Sequence, residues 1–383
     1  MASPFVVVSV AATSLLLGLV PGVLARLRRP LAERLAVPEP KLALVETGSA
    51  LLMILLYPLA GLLVDHEGAQ ELLFFGVILA AVGFTLAGLA KQYVSAALAY
   101  AALGAAGAAL TPATIVVMPR AFASDDKPLI YPALNLGFVL VGFGLFLLAP
   151  LVDRLGRRYG AQRTFPGLAL LCLLPAVCIP LTPAADFPVP QPAPAGTAVW
   201  GEPTFLLLAL AVFFYFVLER SLEFWTRPFL EQLSLPGGNP QSTMIGFWVL
   251  FLLVRLVERW IVVPGYELWA TLGFVLASVI ILGNLVGAYA PNSGRIGFWC
   301  VGGCYGPILP ALLGAGLDLE PLAGGPGLVV GSLFALAFVN QVTIRPIYAA
   351  YARSHTLRQA MWVPLVITIL LAAPLLVLAI LPR

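Results

Sequence analysis

Residues Leu51-Leu52-Met53-Ile54-Leu55-Leu56 contain no polar side chain and stand inside an apolar segment at 42–64. A helix needs about 20 apolar residues to cross roughly 30 Å of hydrocarbon. A membrane-spanning strand instead alternates apolar and polar residues over about ten positions. Because this run does not alternate and the segment around it is long, the sequence predicts a membrane-spanning helix here.

The composition of the whole chain extends this interpretation. Of its 383 residues, 61% are hydrophobic and 10% are charged, against roughly 25% charged in a soluble domain, which excludes an ordinary soluble enzyme and a disordered chain. The net charge of +3 is too small to indicate a nucleic-acid partner. Four cysteines within apolar stretches do not form a disulfide framework. A multi-pass membrane protein is predicted, in the cytoplasmic (inner) membrane of the cell.

Further apolar segments of similar length follow along the chain. With approximate ends, the predicted spans are 4–25, 42–64, 71–90, 93–119, 129–152, 166–182, 203–230, 243–264, 268–290, 294–316, 325–349 and 359–382. The predicted fold class is therefore all-α, with twelve transmembrane helices. Little chain is left outside the bilayer for a separate catalytic domain.

A proline-rich stretch at 183–202 divides these spans into six and six. Prolines at that density favour an extended spacer. We therefore expect an N-terminal six-helix bundle at 1–182, a linker at 183–202 and a C-terminal six-helix bundle at 203–383. Two pseudo-symmetric halves joined in this way match a transporter plan in which the substrate site lies between the halves.

Two loops and one helix resemble the major facilitator superfamily. Residues 61–68 (GLLVDHEG) are similar to the family's G-x-L-x-D-R-x-G-R-R loop, although His66 replaces the Arg and the trailing basic pair is absent. The glycine-rich span 129–152, with the DRLGRR sequence at 153–158, is similar to the family's fifth helix and the loop after it. The resemblance implies the major facilitator fold and a secondary transporter that works by alternating access.

Within the superfamily, the chain most resembles the fucose/hexose–proton symporter group. Residues 213–225 (FFYFVLERSLEFW) are similar to that group's aromatic–Tyr–x–x–x–Glu segment. Phe247-Trp248, followed by Arg255, resembles its F-W…G-R pattern, with Val254 where Gly is usual. This resemblance implies a small polar solute, a sugar in the first place, and protons as a candidate coupling ion.

The distribution of basic residues conflicts with the family's orientation. The family places both termini and the even-numbered loops in the cytoplasm, where Lys and Arg accumulate. Here the odd-numbered loops hold most of them, including Arg26, Arg29, Arg34 and Arg157. The motif order and the charge rule therefore predict opposite orientations. We favour both termini in the cytoplasm, because the motif order fits the fold and the charge rule is statistical.

Ionisable side chains in the apolar spans are candidate functional residues because burying a charge in a bilayer is costly. Tyr215 and Glu219 are four residues apart, so they share a helix face, and Arg255 lies near the middle of the next span. Glu219 and Arg255 are therefore predicted to act in coupling or gating. The alternative is a purely structural ion pair.

Amide and aromatic side chains in the spans suit a sugar, since amides hydrogen-bond hydroxyls and flat rings cover the C–H groups. The predicted substrate-binding residues are Asn135, Tyr215, Trp225, Trp248 and Asn340. The competing interpretation is that the amides join helices and the aromatics form interfacial belts.

No cofactor or metal site is expected. Cys300 and Cys304 share a helix face, but no His accompanies them, so inert buried thiols are expected. Nor do the residues show a catalytic Ser/His/Asp arrangement, so the protein is predicted not to be an enzyme. A monomer in the lipid bilayer with a small-molecule substrate is expected. The alternatives are a membrane enzyme acting on a lipid-linked substrate and a sensor that kept the fold without transport.

Overall fold

The protein was analysed as a computed structural model that describes residues 3–123, 130–184, 187, 199–232, 240–258, 260–288, 291–318 and 325–381. Within those ranges it is all-helical and contains no strand. The α-helices are α1 (Pro4–Leu35), α2 (Glu39–Glu67), α3 (Ala69–Leu89), α4 (Tyr93–Phe122), α5 (Ile130–Phe143), α6 (Ala149–Tyr159), α7 (Ala161–Leu171), α8 (Leu173–Leu181), α9 (Pro203–Gln232), α10 (Pro240–Glu258), α11 (Glu267–Ala288), α12 (Pro291–Tyr305), α13 (Ile308–Leu317), α14 (Pro326–Ser354), α15 (Leu357–Ala360) and α16 (Trp362–Ile380).

Proline marks the start of several of these helices. Its fixed φ suits the first helical position, where its missing N–H leaves no hydrogen bond unmade. Proline is the first residue of α1, α9, α10, α12 and α14. The high proline content therefore positions helix starts as well as breaks within spans.

Eleven helical stretches in the described part of the chain are long and apolar enough to cross a membrane. Three of them combine shorter helices: α5 with α6 through the π-helical turn Gly144–Leu148, α7 with α8, and α12 with α13. The multi-pass prediction is confirmed. The predicted span 243–264 corresponds to α10, which is not among the eleven, so the count of twelve stays a prediction.

The π-helical turn lies where α1 and α5 approach closely. A Cβ on Gly144 would collide with the carbonyl of Leu15, and one on Gly18 would collide with the carbonyl of Val141. Small residues that allow such backbone contact hold membrane helices together, because lipid provides little hydrophobic drive for their association.

The chain divides into two compact units, Met1–Ala198 with Glu320–Phe338 and Val199–Leu319 with Val339–Arg383. We call them the N-terminal and the C-terminal unit. Helix α14 is divided between them after Phe338. The predicted boundaries at 1–182 and 203–383 remain a prediction, and most of the predicted 183–202 linker lies outside the described residues.

In the N-terminal unit, the first part of α14 packs against α2. The ring of Tyr57 stacks on Phe338 at 5.1 Å and on Phe334 at 6.0 Å between centroids. One turn further along α2, a Cβ on Gly61 would collide with the backbone of Gly327. The two helices therefore contact each other through stacked rings at Tyr57 and, one turn further, through direct backbone contact at Gly61.

Asp65 joins the end of α2 to the start of α14. Its carboxylate is 2% exposed and accepts hydrogen bonds from the amides of Gly327 at 2.8 Å and Leu328 at 2.7 Å. The first amides of a helix have no intrahelical acceptor, and the helix dipole favours a negative charge there. The acidic residue of the 61–68 motif is therefore the cap of α14.

In the C-terminal unit, α10 and α12 cross at glycines. A Cβ on Gly302 would collide with the carbonyl of Phe247, and one on Gly306 would lie 2.5 Å from the carbonyl of Phe251. This close crossing brings the end of α12 against the side chains of α10 and fixes the geometry of the cleft described next.

Candidate functional site

A cleft lies between α9, α10 and the end of α12 in the C-terminal unit. Its walls are formed by Tyr215, Leu218, Glu219, Leu222, Met244, Phe247, Trp248, Phe251 and Tyr305. The cleft is narrow, with about 10 Å³ of free volume, which is room for about one water molecule. In this conformation the walls nearly touch.

Two predicted site residues meet a third at this cleft. The hydroxyl of Tyr215 hydrogen-bonds the side chain of Arg255 and lies within the electrostatic influence of Glu219. Tyr215 and Arg255 are 2% and 4% exposed, whereas Glu219 is half-buried and lines the cleft. The structure therefore brings the predicted Tyr215, Glu219 and Arg255 into one cluster.

The backbone at the junction of α12 and α13 explains the position of Arg255. In an unbroken helix the carbonyl of Gly306 would accept from residue 310, but Pro310 has no N–H to donate. The Nε of Arg255 donates to this carbonyl instead. A buried carbonyl in a membrane helix needs such a donor, since no water or lipid supplies one.

An aromatic wall supports the guanidinium. The Cζ of Arg255 lies 4.1 Å from the centroid of the Phe251 ring, a cation–π distance. Trp248 packs edge-on against Phe247 at 4.9 Å and against Phe251 at 5.3 Å. Trp248 is half-buried and lines the cleft, which agrees with a position where its ring could cover a solute.

Tyr305 closes another side of the cleft. Its hydroxyl lies 2.9 Å from the Oγ1 of Thr368. Thr368 in turn donates to the carbonyl of Pro364 at 2.7 Å. The contact with Thr368 fixes the Tyr305 ring, so α16 holds this wall of the cleft in place.

Trp225 lies apart from the cleft. It is 1% exposed and packs on Tyr348 at 4.5 Å and on Tyr351 at 6.3 Å between centroids. The hydroxyl of Tyr348 donates to the carbonyl of Val217 at 2.9 Å. Trp225 thus belongs to an aromatic cluster between α9 and α14, one turn beyond the last cleft residue on α9, Leu222.

The two predicted amides are buried in different units. Asn135 on α5 is 0% exposed and Asn340 on α14 is 1% exposed, and the amide atoms of both have no hydrogen-bond partner among the described residues. A buried amide without a partner costs free energy, so each is a candidate contact for a polar solute. Their roles as substrate-binding residues stay a prediction.

Six cleft residues were not among the predicted site residues: Leu218, Leu222, Met244, Phe247, Phe251 and Tyr305. Phe247 and Phe251 precede Arg255 by eight and four residues, so helical spacing could have predicted that they share its face. The cysteines differ from the expectation in one respect, because Cys304 is buried whereas Cys300 is exposed. No group of His, Cys, Asp and Glu suited to a metal is found among the described residues.

No family model and no curated protein matches the sequence. Solved structures do match the fold. The human organic anion transporter MFSD10 (TETRAN) is 16% identical with a TM-score of 0.74 and covers 97% of this chain and 100% of its own. The transporter FucP in its outward conformation is 15% identical with a TM-score of 0.74, covering 98% of each chain. The proton:xylose symporter XylE is 13% identical with a TM-score of 0.74, covering 96% of this chain and 94% of its own.

These likenesses extend over nearly the whole chain. The protein therefore has the major facilitator fold, and the fold prediction is confirmed.

Proposed function

We propose that the protein is a secondary membrane transporter that moves a small polar organic solute by alternating access. The observation that carries the proposal is the cluster of Tyr215, Glu219 and Arg255, which borders a cleft inside apolar helices. Ionisable groups at such positions are costly and typically serve a solute or ion pathway. The fold shared with FucP, XylE and MFSD10 supports the same class of function.

The charge of the cluster favours a neutral, hydroxyl-rich solute over an anion. Glu219 and Arg255 carry opposite charges near the same hydroxyl, so the cluster offers hydrogen-bonding groups without excess positive charge. Trp248 adds a flat apolar face beside them. This combination suits a sugar, and two of the structural neighbours are described as fucose and xylose symporters.

The narrow cleft implies that solute binds in a wider conformation. Sites for small molecules typically have about 300–1,000 Å³, far above the room of one water molecule found here. We infer that α9 and α10 separate, or that Trp248 rotates, before solute enters. The closed cleft would then be one state of an alternating-access cycle.

Glu219 is the proposed coupling or gating residue. Glu219 is half-buried and belongs to the same cluster as the buried guanidinium of Arg255. Gain or loss of a proton on Glu219 would therefore change the net charge of the cluster. A proton symporter needs a side chain that gains and loses a proton during transport. A facilitator needs only a residue that opens and closes the solute pathway. The protein acts as a monomer in the cytoplasmic membrane in this proposal.

The function is tested first by thermal melting of purified protein with sugars, amino acids, nucleosides and organic anions, since a bound solute raises apparent stability. The stabilising solutes are then tested for counterflow in proteoliposomes that contain a pH-sensitive dye. We expect a sugar to stabilise the protein and to show counterflow. Binding without counterflow would contradict transport and favour a sensor, and chemical conversion of a lipid-linked sugar would favour an enzyme.

The role of Glu219 is tested by E219Q, with E71Q as the matched control because Glu71 lies exposed in the first turn of α3. For a proton-coupled carrier, E219Q loses uphill accumulation and keeps exchange, since exchange needs no net protonation. E71Q keeps both. Uphill accumulation at the normal rate in E219Q would remove Glu219 from coupling.

A further inference from the structure

A second cleft, with more free volume than the first, lies in the N-terminal unit. It has a free volume of about 680 Å³ and lies between the end of α1 and the junction of α6 with α7. Arg26 and Arg29 line it from α1, and Arg157 lines it from α6. Arg157 belongs to the DRLGRR sequence, to which the proposed transport function gives no role.

Most of the cleft's charges are balanced by weak local pairs. Arg29 contacts Glu33 at 3.0 Å, and Arg157 contacts Asp153 at 2.7 Å, in both cases four residues apart on one helix. The side chains of Arg29 and Arg157 are 81% and 78% exposed, and exposed pairs of this kind contribute little and exchange readily.

Arg26 supplies the remaining charge of the cleft. It is half-buried and donates to the carbonyl of Gly22 at 2.7 Å, and it forms no ion pair among the described residues. Three guanidinium groups and two carboxylates leave one net positive charge. The five N–H donors of each guanidinium suit a phosphate, which they can bind in a bidentate manner.

The cleft lies at the level where membrane helices end. Arg26 is the last residue of the apolar stretch Pro4–Arg26, and the stretches Ile130–Tyr159 and Ala161–Leu181 meet beside Arg157. Such ends lie at the level of the lipid headgroups. Leu151 and Leu155 on α6 are exposed apolar side chains, which suit contact with acyl chains.

We propose that this cleft binds the phosphate headgroup of an anionic phospholipid. The guanidinium groups of Arg26, Arg29 and Arg157 hold the phosphate, and Glu33 and Asp153 keep the arginines in place when the cleft is empty. Basic pockets between membrane helices are a known means of headgroup recognition. A free phosphate shares this chemistry but lacks acyl chains to hold it beside Leu151 and Leu155.

The test is thermal melting of the purified full-length protein in detergent with three additives. These are phosphatidylglycerol, phosphatidylcholine with the same acyl chains, and sodium phosphate at matched ionic strength. The variant R26Q/R157Q removes two charges from the cleft. The control R154Q/R158Q removes two charges from exposed positions on α6 that do not line it.

We expect phosphatidylglycerol, and not phosphatidylcholine or phosphate, to raise the melting temperature. The apparent affinity for phosphatidylglycerol should fall at least about tenfold in R26Q/R157Q and stay within about threefold in the control. An equal response to the two lipids, or an unchanged response in R26Q/R157Q, would overturn the proposal. If sodium phosphate alone raised the melting temperature as much as phosphatidylglycerol does, the ligand of the cleft would be free phosphate and not a lipid.

A charge-preserving variant covers the case in which R26Q/R157Q does not fold. R26K/R157K keeps both charges but lacks the planar fork of arginine. The proposal requires a smaller stabilisation by phosphatidylglycerol in R26K/R157K than in the unmodified protein. An equal stabilisation would show that arginine geometry does not recognise the headgroup.

Discussion

Replacing Arg255 by Met removes the donor that the Gly306 carbonyl uses and the positive charge that shares the Tyr215 cluster with Glu219. Losing a donor to a buried carbonyl costs about 1–3 kcal/mol. Leaving a buried charge without its counter-charge costs about 3–5 kcal/mol. Because Glu219 is only half-buried, we expect the cost of leaving its charge without Arg255 to lie below that range. The Met side chain keeps much of the packing on Phe251. Since these effects overlap, we expect R255M to lower the free energy of unfolding by about 2–4 kcal/mol.

Two second-site variants separate the two causes. P310A supplies an N–H four residues after Gly306, so R255M/P310A should recover about 1–2 kcal/mol, the part due to the orphaned carbonyl. E219Q removes the charge that R255M leaves unbalanced, so R255M/E219Q should recover the electrostatic part. A double-mutant cycle over the single and double variants gives each coupling free energy.

The measurement is unfolding in detergent micelles, followed by the fluorescence of the tryptophans and by helicity. The reasoning is refuted if R255M melts at the temperature of the unmodified protein. It is refuted in part if P310A stabilises R255M no more than it stabilises the unmodified protein, since the Gly306 carbonyl would then not need the guanidinium.

Three further predictions concern the packing of the helices. D65N should cost about 1–2 kcal/mol because it weakens the cap of α14, whereas the neighbouring exposed E67Q should be neutral in thermal melting. G302A should cost about 1–3 kcal/mol because its methyl meets the α10 backbone, whereas G283A, with open space around it, should melt at or above the normal temperature. N135L should keep or raise thermal stability, because the amide has no partner, and should reduce transport. A destabilised N135L with normal counterflow would contradict a solute contact.

The fold was predictable because each membrane-spanning helix can be recognised from its own stretch of sequence. In lipid, the backbone N–H and C=O groups of a long apolar run such as 42–64 can form their hydrogen bonds only within a helix. Each span could therefore be predicted without knowing which helices pack against it. The breaks in the helices within the spans were harder to predict from the sequence. Pro307 and Pro310 mark the break between α12 and α13, but the donor that repairs it comes from a different helix.

The candidate site was predictable in part, for the same reason. Helical spacing predicted that Tyr215 and Glu219 share one face of α9. The cost of burying a charge in an apolar span identified Arg255 as a further candidate. The spacing could not show that Trp225 turns towards Tyr348, because that depends on how α9 packs against α14. Likewise, the 61–68 motif was visible, whereas its capping of α14 depends on a contact far away in the sequence.

The bond between Asp65 and Gly327 has a consequence for biosynthesis. The two residues are 262 positions apart. At a synthesis rate of about 5–20 residues per second, Asp65 waits roughly 13 to 52 s before its partner is made. During that interval the nascent α2 holds a carboxylate with no helix start to receive it. Loss of α14 from a truncated chain would make this state permanent, because the Asp65 carboxylate would then lack both of its amide donors.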